Sequence, residues 1–267
     1  MSKIIVGLYG STFSQETSIR HGNARCGKDT FAELVQGVNP DWTIYALSSP
    51  IKEVINNLMG WNEEHSDGDL KEVELTTKLS SNWVGELALE LEERFGSVAE
   101  DTGFGSENLL SHFCDVFNLS IQDDHITISP RRAYQLFGTE FGRAISNSIW
   151  LDLIPTDKPF VIITDVRFPN EVSWCNDNGA FLLGIERTLP EAELTILPAH
   201  SSEQACDTSC LDGSITNNGT IDELDEVASL FDEYLQVSTF GDVQMPLQTY
   251  LIEQGFTVGK PTLTLGG

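Results

Sequence analysis

Residues 22–30 have the spacing of a phosphate-binding loop and read Gly-Asn-Ala-Arg-Cys-Gly-Lys-Asp-Thr. In the pattern G-x-x-x-x-G-K a tight turn directs backbone N–H groups at a polyphosphate, and the lysine, here Lys28, contacts the outer phosphates. The pattern therefore predicts a site for a nucleoside triphosphate. A hydroxyl residue that binds Mg²⁺ usually follows the lysine; here Asp29 follows, and Thr30 supplies the hydroxyl one residue later. The alternative is a glycine-rich turn before an amphipathic helix. The residues assigned to the loop are Gly22, Asn23, Ala24, Arg25, Cys26, Gly27, Lys28, Asp29 and Thr30.

A second polar cluster lies in residues 129–143, where Ser129 and Pro130 are typical of the N-cap and the first position of a helix. Helical periodicity predicts a core face and a separate polar face. Guanidinium groups on the polar face can bind a phosphate, and an amide can offer a donor and an acceptor to a nucleobase. The alternative is a solvated polar face. The core face comprises Ala133, Phe137, Phe141 and Ala144, and the polar face comprises Arg132, Gln135, Thr139 and Arg143.

A third cluster, residues 164–171, follows the apolar run 160–164. Ligands of open α/β sheets bind at the carboxyl ends of the strands, so this is a candidate site. Asp165 could bind Mg²⁺ through water or orient the attacking oxygen, and Arg167 could neutralise charge on a transferred phosphoryl group. Alternatively, Arg167 and Glu171 brace the turn into the next helix. The segment His200-Ser-Ser-Glu203 is a weaker candidate, because a lone histidine there is usually a surface or capping group.

These clusters need strands and helices to position them. Apolar runs predict buried parallel strands, and periodic segments between them predict helices. Together they predict an α/β fold, with a parallel sheet covered by helices on both faces. The mostly polar residues 11–21 are interpreted as a surface insertion. The predicted strands are 3–10, 42–47, 160–164 and 181–185, and the predicted helices begin near residues 28, 50, 130, 170 and 221.

Residues 84–128 contain ten acidic residues and one arginine, and we interpret them as an inserted helical and loop segment. Its apolar stripe at Leu87, Leu91 and Phe95 predicts that the first part packs rather than remaining disordered. The expected organisation is a nucleotide-binding domain over residues 1–235 that contains this insertion, followed by a C-terminal extension over residues 236–267 of unknown structure.

The charge of the chain excludes some partners. A formal net charge of −26 from 15 basic and 41 acidic residues argues against binding to nucleic acid or to an anionic membrane. No apolar run is long enough to cross a bilayer, and no secretory signal is evident. The five cysteines are irregularly spaced, which favours reduced thiols in a cytoplasmic protein over a metal site at Cys206 and Cys210. Salt adaptation and simple solubility both remain open as reasons for the acidity. Six of the 15 basic residues lie in the three clusters, namely Arg25, Lys28, Arg131, Arg132, Arg143 and Arg167.

In their order along the chain, these segments resemble the phage-type deoxynucleoside monophosphate kinases. The most specific matches are the segments SPRR…QLFGTE and TDVRFPNE, and the Lys-Asp-Thr ending of the loop is also usual for that family. The resemblance implies a P-loop kinase fold. Residues 11–21 and 84–128 depart from the compact family pattern. The matching stretches are 22–31, 48–52, 60–64, 67–72, 129–143, 163–172, 185–187, 200–203 and 215–220.

The resemblance also implies an activity, namely transfer of the γ-phosphoryl group of ATP to a deoxynucleoside 5′-monophosphate with Mg²⁺. Its partners would be small-molecule nucleotides, without nucleic acid or membrane; a homodimer is a candidate assembly, and a viral origin would place the protein in the host cytoplasm. A P-loop kinase of another small phosphorylated acceptor, or a non-catalytic ATP-binding module, is the alternative. The implied roles are catalysis for Lys28, Arg25, Asp165 and Arg167, metal binding for Thr30 and Asp165, a lid or adenine-side contact for Arg187, and acceptor binding for Lys52, Arg131, Arg132, Gln135, Thr139 and Arg143.

Overall fold

The computed structural model describes residues 3–16, 20–22, 25–66, 68–190, 210–240, 250 and 263–264. Its strands are β1 (Ile4–Ser14), β2 (Arg20–Gly22), β3 (Trp42–Tyr45), β4 (Leu75–Lys78), β5 (His125–Ile128), β6 (Phe160–Ile163), β7 (Phe181–Leu189), β8 (Gly213–Thr216) and β9 (Leu263–Thr264). Its α-helices are α1 (Lys28–Val38), α2 (Ser49–Met59), α3 (Glu63–Ser66), α4 (Trp83–Asp101), α5 (Leu109–Phe117), α6 (Pro130–Gln135), α7 (Gly142–Ile145), α8 (Pro169–Asp177) and α9 (Ile221–Phe240). A π-helical segment, Leu136–Phe141, joins α6 to α7.

The chain divides into two compact units. The sheet unit comprises residues 1–46 and 155–267, and the helical unit comprises residues 47–154. The boundary expected after residue 235 falls inside α9, which continues to Phe240. Beyond it, β9 pairs with β8 in antiparallel orientation.

Five parallel strands form the centre of the sheet unit, in the order β3-β6-β1-β7-β8. Side chains of β1 alternate between the two faces of the sheet. Val6 and Leu8 pack with Phe31 of α1 and Phe231 of α9 in one buried cluster. On the opposite face, a Cβ added to Gly7 would lie 3.1 Å from Sγ of Cys175 in α8. Helices therefore cover both faces, which confirms the predicted α/β fold with a parallel sheet.

The strand β1 is longer than its apolar run predicts. It pairs with β7 as far as Ser14 and Leu189, and the short strand β2 returns beside it with Gly22 opposite Thr12. Ser11, Thr12 and Ser14 are buried. The interpretation of residues 11–21 as a surface insertion is therefore wrong for residues 11–14, because small hydroxyl side chains can be buried where the backbone is hydrogen-bonded in a sheet.

An aromatic cluster forms the core of the helical unit. Phe95 of α4 contacts Phe137, Phe141 and Trp150, with ring centroids 6.0, 6.3 and 5.6 Å apart. Phe113 of α5 joins the same cluster. The strands β4 and β5 form a separate antiparallel pair. Residues 84–128 lie outside the main sheet, and their buried side chains contribute to the core of the helical unit.

Candidate active site

The predicted phosphate loop ends where α1 begins, as the sequence indicates. Two residues in the left-handed region, Arg25 with φ 60° and Gly27 with φ 90°, flank Cys26. A left-handed conformation is unfavourable for a residue other than glycine, and tight turns of this kind can gather backbone N–H groups around an anion. Gly22 ends β2, whereas Asn23 and Ala24 lie outside the described residues.

Lys28 is the first residue of α1 and is only 9% exposed. Its ammonium lies 2.8 Å and 2.9 Å from the two carboxylate oxygens of Asp29, whose side chain is exposed. The position usually held by a metal-binding hydroxyl residue therefore supplies a counter-ion for the lysine. Thr30 lies in the first turn of α1 and is half-buried.

Cys26, between these residues, is completely buried. Burial raises the pKa of the Cys26 thiol above its ordinary value, against a smaller lowering by the backbone and charge of Lys28. The thiol is therefore neutral near pH 7 and places no charge in the loop.

Asp165 and Arg167 follow β6 at the carboxyl edge of the sheet. The neighbouring backbone is fixed there, because Thr164 N–H donates to the carbonyl of Tyr45 at 3.1 Å and Val166 N–H donates to that of Leu8 at 3.2 Å. Asp165 is buried. Arg167 is half-buried, and its Nε has no hydrogen-bond partner among the described residues.

Glu171 has a role at this site that the sequence reasoning only partly anticipated. Its Oε2 accepts hydrogen bonds from the backbone N–H groups of Arg167 at 2.6 Å and Phe168 at 2.9 Å. Glu171 therefore braces the turn by holding the backbone of Arg167 and Phe168. An acidic residue two positions after a proline that starts a helix is the sequence signal for such a contact.

The sequence reasoning missed a contact between the phosphate loop and the turn after β8. The buried side chain of Asn217 donates from Nδ2 to the carbonyl oxygen of Cys26 at 2.9 Å. Asn217 precedes α9, and the capping role there belongs to Thr220, which exchanges hydrogen bonds with Glu223. The sequence signal for this contact was an asparagine immediately after a parallel strand, at the edge of the sheet where ligands bind.

Arg187 lies on the extended part of β7, opposite Thr12 of β1, and is half-buried. The next residue, Thr188, donates its backbone N–H to Oδ1 of Asn218 at 2.8 Å. The weaker candidate segment His200–Glu203 lies outside the described residues, as does Cys206.

In the helical unit, α6 begins as the sequence predicts. Pro130 is its first residue, and the N-cap Ser129 accepts a hydrogen bond from the backbone N–H of Arg132 at 3.4 Å. The arginines of α6 have carboxylate partners: Arg131 pairs with Glu72, and Arg132 Nη1 lies 3.1 Å from Glu140 Oε1. Lys52 is half-buried on α2, and Gln135, Thr139 and Arg143 are half-buried on the segment 135–143.

The predicted polar face does not continue along one regular α-helix. After Gln135 the chain forms the π-helical segment, where the N–H of Gly142 donates to the carbonyl of Phe137, five residues earlier. Each π turn contains about one residue more than an α turn, so later side chains rotate by roughly 100° around the axis. Accordingly Ala144 is exposed and Ile145 is buried. The core position predicted for Ala144 is therefore wrong.

Among the described residues, no group of three or more His, Cys, Asp or Glu side chains is arranged to hold a metal ion. None of the described helices is long and apolar enough to span a membrane.

The sequence of this chain is similar to the sequences of known proteins. A model of the family described as deoxynucleotide monophosphate kinase matches residues 88–227, which is just over half of the chain. The matched range contains α6, Asp165 and Asn217, and it begins after the phosphate loop. It also includes residues 88–128. These are most of the segment 84–128, which we interpreted from the sequence as a departure from the compact family pattern.

One relative of this chain supports the same family assignment. The deoxynucleoside-5′-monophosphate kinase of Escherichia phage T5 is 29% identical to this chain over 179 residues, which cover 57% of this chain and 68% of the phage protein. Both findings confirm the resemblance inferred from the sequence. The chain belongs to the deoxynucleotide monophosphate kinase family.

Proposed function

We propose that the protein transfers the γ-phosphoryl group of ATP to a deoxynucleoside 5′-monophosphate, with the donor at the phosphate loop and the acceptor at α6. The observation that carries this proposal is the placement of Lys28: a buried ammonium at the N-terminus of α1, immediately after two left-handed residues. The N-terminus of a helix and the N–H groups of such a turn favour bound phosphate. Family membership supports the reaction.

Catalysis of phosphoryl transfer depends mainly on alignment of the reactants and on neutralisation of charge. Lys28 would contact the outer phosphates of ATP. Arg167 is suited to stabilise the transferred group, because Glu171 fixes its backbone and its Nε has no hydrogen-bond partner in the described part of the chain. Arg25, which is exposed beside the loop, would add a further positive charge, and Arg187 would contact the adenine side of ATP.

The sheet unit offers oxygen ligands that fit a Mg²⁺ ion bound mostly by the phosphates of the substrate. Thr30 offers a hydroxyl and Asp165 a buried carboxylate. Mg²⁺ in kinases is commonly bound by one or two carboxylates together with phosphates and water, so a cluster of three acidic ligands is not required. When bound, the ion would neutralise charge on the donor phosphates.

At the acceptor site, Arg131 and Arg132 would bind the monophosphate in place of their carboxylate partners. Guanidinium groups bind phosphate through two parallel hydrogen bonds, which fixes the orientation of the acceptor. Gln135 carries an amide that can pair with the edge of a base. Lys52, Thr139 and Arg143 complete the proposed acceptor contacts.

The test measures ADP release by purified protein with MgATP and each of dGMP, dTMP, dCMP and dAMP. At least one monophosphate should stimulate ADP release and appear as its diphosphate. Replacement of Lys28 by methionine should lower kcat by more than about a hundredfold, because electrostatic stabilisation supplies much of the rate.

Lys158→Met is the matched control and should leave kcat unchanged. Lys158 is an exposed lysine of the same unit, and among the residues that the structure describes its side chain pairs only with the exposed carboxylate of Asp157. Turnover near the normal value in Lys28→Met would show that the loop is wrongly assigned. Stimulation by another phosphorylated acceptor alone, or ATP binding without turnover, would contradict the proposed reaction.

A further inference from the structure

The side chain of Asn217 is fixed against the phosphate loop. Asn217 directly follows β8, is 6% exposed, and anchors its own backbone by donating its N–H to the carbonyl of Glu186 at 2.6 Å. Its Nδ2 donates to the carbonyl oxygen of Cys26 at 2.9 Å. This hydrogen bond joins residues that are 191 positions apart in the sequence.

The bonded carbonyl belongs to the peptide that links Cys26 to Gly27. In a trans peptide the C=O and N–H groups point in opposite directions. With the carbonyl of Cys26 held against Asn217, the N–H of Gly27 must therefore point away from Asn217. A free carbonyl at this position could rotate inward and would repel an anion.

Gly27 is also in close contact with Asn217. A Cβ added to Gly27 would lie 2.2 Å from Nδ2 of Asn217, and the φ of 90° is unfavourable for other residues. The glycine of the loop pattern is therefore required by its backbone conformation and also by the approach of this amide.

We propose that Asn217 is a positioning residue for the donor site: it holds the Cys26–Gly27 peptide in the orientation that presents the N–H of Gly27 to the phosphates of ATP. This inference rests on the proposed role of the phosphate loop. It assigns to the turn after β8 a part in ATP binding without contact to the nucleotide.

Asn217→Ala tests the proposal, and Asn218→Ala is its matched control. Asn218 is the adjacent asparagine, and its side chain bonds to Thr188 instead of the loop. Three quantities are measured: the Kd of MgATP by calorimetry, the KM of the best monophosphate, and amide hydrogen exchange of the peptide covering residues 22–31 without nucleotide.

Asn217→Ala should weaken MgATP binding by about tenfold, as expected for a lost buried hydrogen bond, and should speed amide exchange of the loop. The KM of the monophosphate should stay within about twofold, since the acceptor contacts are unchanged. Asn218→Ala should leave all three quantities at the values of the unaltered protein. Asn217→Asp, which keeps the shape but loses the N–H donor, provides a second variant if Asn217→Ala does not fold.

Unchanged MgATP affinity and unchanged loop exchange in a folded Asn217 variant would overturn the proposal. A lower Tm without weaker MgATP binding would also overturn it, because that result assigns Asn217 a structural role only. A wrong assignment of the ATP site to the phosphate loop gives a different result. In that case Lys28→Met retains normal turnover, whatever the Asn217 variants show.

Discussion

At the scale of single residues, three of the cations proposed to bind phosphate lie beside carboxylates. Lys28 pairs with Asp29, Arg131 with Glu72, and Arg132 with Glu140. In the two arginine pairs both side chains reach solvent, and exposed ion pairs contribute only about 0–1 kcal/mol each. A phosphate can therefore replace these carboxylates at little energetic cost, which suits a chain with a net charge of −26.

Arg132→Ala should raise the KM of the monophosphate and leave the KM of ATP nearly unchanged. Hydrogen bonds to a charged group contribute about 1.5–3 kcal/mol, which corresponds to roughly ten- to a hundredfold in kcat/KM for the acceptor. Arg132→Lys should restore only part of the loss, because an ammonium group lacks the planar fork. Steady-state kinetics with each substrate varied in turn measures these effects.

Glu140→Gln separates the acceptor contact from the ion pair in the same kinetic experiment. Removal of this carboxylate frees Arg132, so the KM of the monophosphate should fall, by no more than about fivefold. A rise in KM as large as that of Arg132→Ala would show that the ion pair, and not contact with the acceptor, is the important interaction. Equal effects of Arg132→Ala on both substrates would assign the helix a structural role.

At the scale of elements, Trp150 supports the π-helical segment. Its Nε1 donates to the carbonyl of Gly138 at 2.8 Å. In a continuous α-helix the N–H of Gly142 would bond to that carbonyl, but here it bonds to Phe137. A Cβ added to Gly142 would lie 2.2 Å from Cζ2 of Trp150. The close approach of the ring therefore depends on this glycine.

Gly142→Ala should destabilise the protein by about 1–3 kcal/mol, as overpacking of a core does. Gly37→Ala in α1 is the matched control: nothing lies within 4 Å of an added Cβ there, and alanine should stabilise that helix by up to about 1 kcal/mol. Urea unfolding of both variants measures the difference. A stabilising effect of Gly142→Ala similar to that of Gly37→Ala would contradict the close packing of Trp150 on the segment.

At the scale of the whole molecule, the acidic segment 84–128 combines a charged surface with core side chains. Phe95 is completely buried in the aromatic cluster, whereas Leu89 of the same helix is 74% exposed. The segment therefore stabilises the helical unit that carries α6.

Phe95→Ala should lower the free energy of unfolding by about 3–5 kcal/mol, the usual effect of removing a buried aromatic ring. Leu89→Ala should change it by less than about 0.5 kcal/mol, because the side chain is exposed. Thermal and urea unfolding of the two variants provide the comparison. A small effect of Phe95→Ala would show that the segment is peripheral to the core.

Local patterns in the sequence were sufficient for several features. The parallel α/β fold follows from short apolar runs that alternate with helical periodicity, and the starts of α1 and α6 follow from the Gly-Lys pair and the Ser-Pro pair. These features depend on interactions between residues a few positions apart, so their residue types specify them directly. The roles of the phosphate-binding residues stay predictions until the kinetic tests are made.

Other features were decided only by the tertiary structure. The extension of β1 depends on hydrogen bonds to β7, the π-helical segment on the indole of Trp150, and the orientation of the Cys26 carbonyl on Asn217. In each case the partner that fixes the backbone is distant in sequence or belongs to another element. Periodicity and spacing describe only neighbours along the chain, and the side of the sheet or helix on which a distant partner lies is determined when the chain folds.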